Sequence, residues 1–212
     1  MLGIPGAVVV MVGLVAGCST SAAPTRSADP TESVRPSGPL PIKVGQAEPN
    51  VTYTTSLFEP TITFAVPTEG WLFFFPDDED EMAVGQGGDI ELLGGRVATV
   101  VDPTSHQPVD APDDLIAWLE AHPDFVAQAP QPATIAGREA RSIDVSNPSD
   151  EDIDVWAYPT GNARVSARTD ARIWVVPLDG PDLVFTAVAG ADRFDAAVQD
   201  MATIVESVQI EP

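Results

Sequence analysis

Cys18 stands apart among the few residues of this chain that could do chemistry. It is the single cysteine of 212 residues, and it follows an uncharged apolar stretch, residues 1–17, that ends in Leu14-Val-Ala-Gly17. A thiolate is a strong enough nucleophile to accept an acyl group readily, so S-acylation is the chemistry this position offers. With Cys18 consumed, no disulfide is available and the fold must hold by core packing. The two histidines, His106 and His122, fall in a Pro-rich loop and at a helix end. Two scattered imidazoles and no free thiol do not make a structural zinc site. No Gly-x-Ser-x-Gly elbow accompanies them to mark a serine nucleophile. The sequence therefore predicts no catalytic, cofactor-binding or metal-binding residues and one modification site, Cys18.

Charged clusters supply the remaining candidates. Asp77-Asp-Glu-Asp-Glu81 and Asp150-Glu-Asp152 with Asp154 offer carboxylates to a calcium ion, which takes about six to eight oxygen ligands. They lack the alternating spacing and central glycine of an EF-hand loop, and read as solvated acidic loops. Arg164, Arg168 and Arg172 alternate with apolar residues, as a single strand with a guanidinium row on one face would. Such a row can take an anion bidentately, but in so acidic a chain it is expected to pair with neighbouring carboxylates. Gly85-Gln-Gly87-Gly88 has no lysine after it and reads as a turn, not a phosphate loop. The aromatic run at residues 71–75, with Trp118, Trp156 and Trp174, is expected in the core. Any part left exposed would mark a partner or lipid-ligand surface.

Composition narrows the partners. Thirty-two acidic and ten basic residues give a net charge of −22. Nucleic-acid binding needs a dense positive surface, so nucleic acid is excluded as a partner. Anionic headgroups would repel the chain as well, which leaves membrane attachment to a lipid on Cys18. The run Leu14-Val-Ala-Gly17-Cys18 resembles a bacterial lipobox, in which the leader is removed and the cysteine carries lipid. That resemblance implies a diacylglyceryl group and often a third chain, as stable anchoring requires more than one. The leader lacks the Lys or Arg expected ahead of its apolar core, a charge that a start upstream of Met1 would supply. An uncleaved anchor and a cleaved leader without lipid remain the alternatives.

The elements that must position these groups begin after a linker. Residues 18–49 hold six prolines, at 24, 30, 36, 39, 41 and 49, among Ser, Thr, Ala and Gly. They show no apolar periodicity and are expected to be disordered. From residue 50 to 212 a single domain is expected, built from short β-rich runs. These include residues 60–67, 71–75, 96–101 and 155–158, a hairpin turning at Gly137, and another at Asp179-Gly180-Pro181. One helix is expected to start from an Asp110 cap with Pro112 in its first turn. A second starts near Asp192 and carries Phe194, Val198, Met201, Val205 and Val208 on one side. The pattern reads as α+β, an antiparallel β-sheet with helices packed on it.

Three stretches carry a family resemblance. Phe64-Ala-Val66-Pro67-Thr-Glu-Gly70-Trp71, Ile135-Ala-Gly137-Arg-Glu-Ala140 and the closing helix to Glu206-Ser207-Val208 resemble the opening, central turn and last helix of PsbP/Mog1-like domains. Leu115-Ile-Ala-Trp118-Leu-Glu-Ala-His122-Pro123 is similar to a stretch of actinobacterial cell-envelope lipoproteins. The resemblance spans residues 58–210 and implies an α/β/α sandwich with a binding or accessory role. It transfers no catalytic residue. The expected function is that of a non-enzymatic binding or accessory module, lipid-anchored on the extracytoplasmic face of the cell membrane. Its partner would be an envelope protein. The alternative is an envelope carrier of a lipid or other apolar small ligand.

Overall fold

The computed structural model describes residues 38–55, 57, 59–74 and 81–211. Cys18, the leader 1–17, the linker as far as residue 37, Phe75 and Asp77 to Asp80 of the first acidic run lie outside the described residues. In chain order the strands begin with β1 (Leu40–Pro41), β2 (Gly45–Gln46), β3 (Thr52–Thr54), β4 (Ile62–Ala65), β5 (Trp71–Phe73), β6 (Glu81–Gln86) and β7 (Ile90–Val97). Then come β8 (Thr99–Val101), β9 (Pro108–Asp110), helix α1 (Leu115–Glu120), β10 (Val126–Ala127), β11 (Gln131–Ile135) and β12 (Arg138–Ser146). The chain closes with β13 (Ile153–Tyr158), β14 (Gly161–Val165), β15 (Thr169–Val176), β16 (Asp182–Gly190), α2 (Phe194–Glu206) and β17 (Gln209–Ile210).

A central antiparallel sheet runs β10-β12-β15-β16-β7-β6-β5-β2, with β11 also on β12. Two smaller sheets, β1-β3-β4-β17 and β14-β13-β8-β9, complete an α+β fold as the sequence predicts. Strand β16 shows why the central sheet lies inside. Leu183, Phe185, Ala187 and Ala189 belong to one core cluster, and Val184 and Val188 to the other. Both faces are apolar because both are covered, which alternating half-buried patterning could not produce. Helix α2 covers the first face with Phe194, Ala197, Val198, Met201, Ile204 and Val205. Each large apolar side chain among these contributes about 1.5–3 kcal/mol on full burial. Helix α1 and the β14-β13-β8-β9 sheet cover the other face through Leu115, Ile116, Leu119, Val155 and Trp156. The helices therefore lie on opposite faces, as in an α/β/α sandwich.

Two glycines are required by geometry. Phe74 folds over Gly85, where an added Cβ would sit 2.4 Å from its ring and 2.5 Å from the Ile90 carbonyl oxygen. At the β11–β12 hairpin, Ala136 and Gly137 both adopt left-handed backbone, φ 51° and 71°, the geometry of the tight turns that match strand twist.

Several boundaries differ from the sequence reading. Domain structure starts before residue 50: β1 pairs with β3 and β2 with β5, and Ile42 and Ala47 are buried in the first core cluster. Those two apolar side chains give the Pro-rich segment something to bury. Residues 96–101 are not one strand, because the chain bends at Ala98 and passes from β7 in the central sheet to β8 in the outer one. Helix α1 is capped by Asp114, whose side chain accepts from the Ala117 N–H at 3.0 Å. Asp110 is instead held in β9 by its pairing with Thr99.

Candidate functional site

A groove forms where three segments meet at one end of the sandwich. The start of α1 brings Asp113, Asp114 and Leu115; the β11–β12 hairpin brings Pro132, Ala133, Thr134, Glu139, Ala140 and Arg141; the end of β15 and start of β16 bring Val175, Pro177 and Asp182. Together they line a cleft of about 590 Å³. A second cleft of about 330 Å³ shares Asp113, Leu115 and Asp182 and extends the space toward Ala98 and Pro181. Leu115, Ala140 and Val175 form an apolar floor, each no more than 6% exposed.

Charge on the rim is mainly negative. The Ala117 N–H, and then the Arg141 guanidinium paired with it, hold the Asp114 carboxyl below the ordinary carboxylate range. Burial pushes Asp182 the other way, above that range, and the nearby Asp114 adds to the effect against the Leu178 N–H and Arg96. Arg96 itself is spent on the backbone, donating to the carbonyls of Pro181 at 2.7 Å, Glu59 at 3.1 Å and Asp179 at 3.2 Å.

The two histidines, distant in sequence, line one cleft of about 280 Å³ with Asp124, Glu151, Asp152 and Asp154. His122 is 5% exposed, between Trp118 and Phe125. Its Nδ1 accepts from the Asp124 N–H at 3.4 Å, and Nε2 is buried without a hydrogen-bond partner. Burial lowers its pKa below the usual 6.5, against the pull of Asp124. Among the described residues, no group of three His, Cys, Asp or Glu side chains is placed to hold a metal ion.

The arginine row is not one strand. Arg164 lies in β14 and Arg172 in β15, with a left-handed residue, Arg168 at φ 56°, between the two sheets. Each arginine meets an aspartate: Arg164 with Asp152 at 3.2 Å, Arg168 with Asp150, and Arg172 with Asp144 through bonds of 2.6 and 2.7 Å. The acidic run 150–154 is thereby committed to pairing and turn formation, since Asp152 also accepts from the Ala167 N–H at 2.9 Å. Gly87 and Gly88 form the β6–β7 turn with φ of 68° and 83°. Trp71 and Phe73 are buried, while Leu72 between them is 41% exposed. Cys18, the one expected site residue, lies outside the described residues. No helix among the described residues is long and apolar enough to cross a membrane.

Sequence reasoning missed the groove, because separate segments build it and no local motif announces it. The available signal was proline beside acidic residues at element ends, Pro112-Asp113-Asp114 and Pro181-Asp182.

Neither a family model nor a curated protein matches the chain. Among solved structures it is similar to the cyanobacterial PsbP protein CyanoP of Synechocystis, at 10% identity and a TM-score of 0.42, over 86% of this chain and 100% of that one. It is also similar to LpqN of Mycobacterium tuberculosis, a protein involved in cell envelope biogenesis. That likeness has 15% identity and a TM-score of 0.30, over 80% of this chain and 91% of that one. A PsbP and a mycobacterial envelope protein are thus among the structures this chain is similar to.

Proposed function

We propose that the chain is a lipid-anchored extracytoplasmic binding module of the cell envelope, held by acylated Cys18 and engaging an envelope partner in the groove, without a catalytic role. The groove carries this reading: a recess with Pro132, Ala133 and Pro177 on its walls, ringed by Asp113, Asp114, Glu139, Arg141 and Asp182, offers apolar contact and fixed charges to a bound surface. The carrier alternative needs a site that encloses most of an apolar ligand. Five charged side chains around an open cleft suit a protein surface better, and both core clusters are filled by side chains such as Trp71, Trp156, Phe64 and Phe185. LpqN, described as involved in cell envelope biogenesis, agrees with the location.

Two experiments test the proposal. Palmitate labelling should mark the wild-type protein and not Cys18→Ala, which should keep its leader and run as a larger, unlabelled species. A photoreactive benzoylphenylalanine at the exposed Thr134, in intact cells, should yield a protein adduct that the same group at Gln199 on α2 does not. Label retained by Cys18→Ala, or equal adducts from both positions, would end the proposal.

A further inference from the structure

The two clefts share Asp113, Leu115 and Asp182, so they adjoin as one trough. It is open to solvent, whereas small-molecule sites bury about 70–90% of their ligand. Two adjoining open clefts leave room for an extended chain to cross both. Recognition by strand addition is disfavoured on the adjoining edge strand, because Pro132 in β11 removes a backbone donor and proline blunts sheet edges. An occupant must therefore be read through its side chains.

The charges specify which side chains. Asp114 and Arg141 neutralise one another, and Arg96 is engaged with three carbonyls. Asp113, Glu139 and Asp182 remain, with no ion pair to any of them among the described residues. Asp182 is the most telling of the three: it is partly desolvated, the Leu178 N–H and Arg96 offset that burial only in part, and Asp114 adds repulsion. A cation beside it would offset both the lost hydration and the repulsion.

We infer that the trough receives an extended, basic segment of an envelope protein, with Lys or Arg side chains on Asp113, Glu139 and Asp182 and apolar side chains against Pro132, Ala133 and Pro177. This rests on the binding-module reading above and gives the partner its chemistry. The net charge of −22 would also speed encounter with such a segment, an effect that salt weakens.

The test uses the full-length chain in intact cells, with benzoylphenylalanine at Thr134 and mass-spectrometric mapping of the crosslinked segment. A parallel strain carries Asp113→Asn, Glu139→Gln and Asp182→Asn, with folding checked by thermal melting of the purified protein. The expected result is a segment bearing at least two Lys or Arg, with adduct yield falling about tenfold in the neutralised strain. An adduct on a segment without basic residues, an adduct on lipid, or a yield unchanged in a folded neutralised variant would overturn the inference. In the first and third cases the binding-module reading would survive. No Thr134 adduct above the Gln199 control would overturn both.

Discussion

Trp156 ties the outer sheet to the central one, and its polar end can be tested almost in isolation. Its indole is 1% exposed, and Nε1 donates to Thr186 Oγ1 at 3.0 Å across the second core cluster. Thr186 is itself 3% exposed, so no water stands ready to replace the acceptor. Thr186→Val keeps the side-chain shape while leaving the indole N–H buried and unpaired. An unsatisfied buried donor costs about 1–3 kcal/mol. For a domain of this size each kcal/mol lowers Tm by about 2–4 °C, so Thr186→Val should melt about 2–12 °C below wild type. Trp156→Phe should cost more alone, since it also leaves unfilled space. The double variant should be more stable than the sum of the two losses, because neither polar group is then orphaned. Calorimetric melting of the four proteins gives the cycle. A Thr186→Val protein within about 0.5 kcal/mol of wild type, or strictly additive losses, would refute this account of the layer contact.

Other perturbations bear on turns, caps and pH. Gly85→Ala places a Cβ against the Ile90 carbonyl and the Phe74 ring; denaturant unfolding should show a loss of about 1–3 kcal/mol. Asp114→Ala removes the α1 cap and the partner of Arg141 and should cost about 0.5–2 kcal/mol from the cap, with Asp114→Asn retaining much of it. His122 has a lowered pKa in the fold, so the unfolded chain takes up the proton first as pH falls. Stability from this group is full above its unfolded value of 6.5 and declines below it, by no more than about 1.4 kcal/mol per pH unit. Comparing His122→Phe with wild type between about pH 6.5 and 5, above the usual carboxylate range, isolates that slope.

Much of the fold was legible because its signals are local. The stripe from Phe194 to Val205 found α2, and Gly137 and Asp179-Gly180-Pro181 marked two hairpins. The central strands β6 and β7 were harder to read: Glu81, Glu91 and the pair Gly94-Gly95 break their apolar pattern. Gly94 is explained only in three dimensions, where an added Cβ would stand 3.0 Å from the Phe185 ring. The bends at Ala98 and Arg168 carry the chain from one sheet to another, and a period-two pattern is silent about which sheet a strand joins. Pairing of the arginine row with aspartates followed from charge balance, but not its partners, which turn on a loop held by Asn147 through its side-chain amide to Glu151, Val165 and Ser166. The groove was illegible for the same reason, since its floor and rim come from segments joined only by folding.

The claim that the groove is where this module meets its partner is tested most directly by amide hydrogen exchange, comparing the protein in native envelopes with the purified, released form. Slower exchange in the envelope across residues 133–141 and 178–183, with α2 unchanged, is the predicted result. Equal exchange in those segments, or protection confined to α2 and β4, would contradict it.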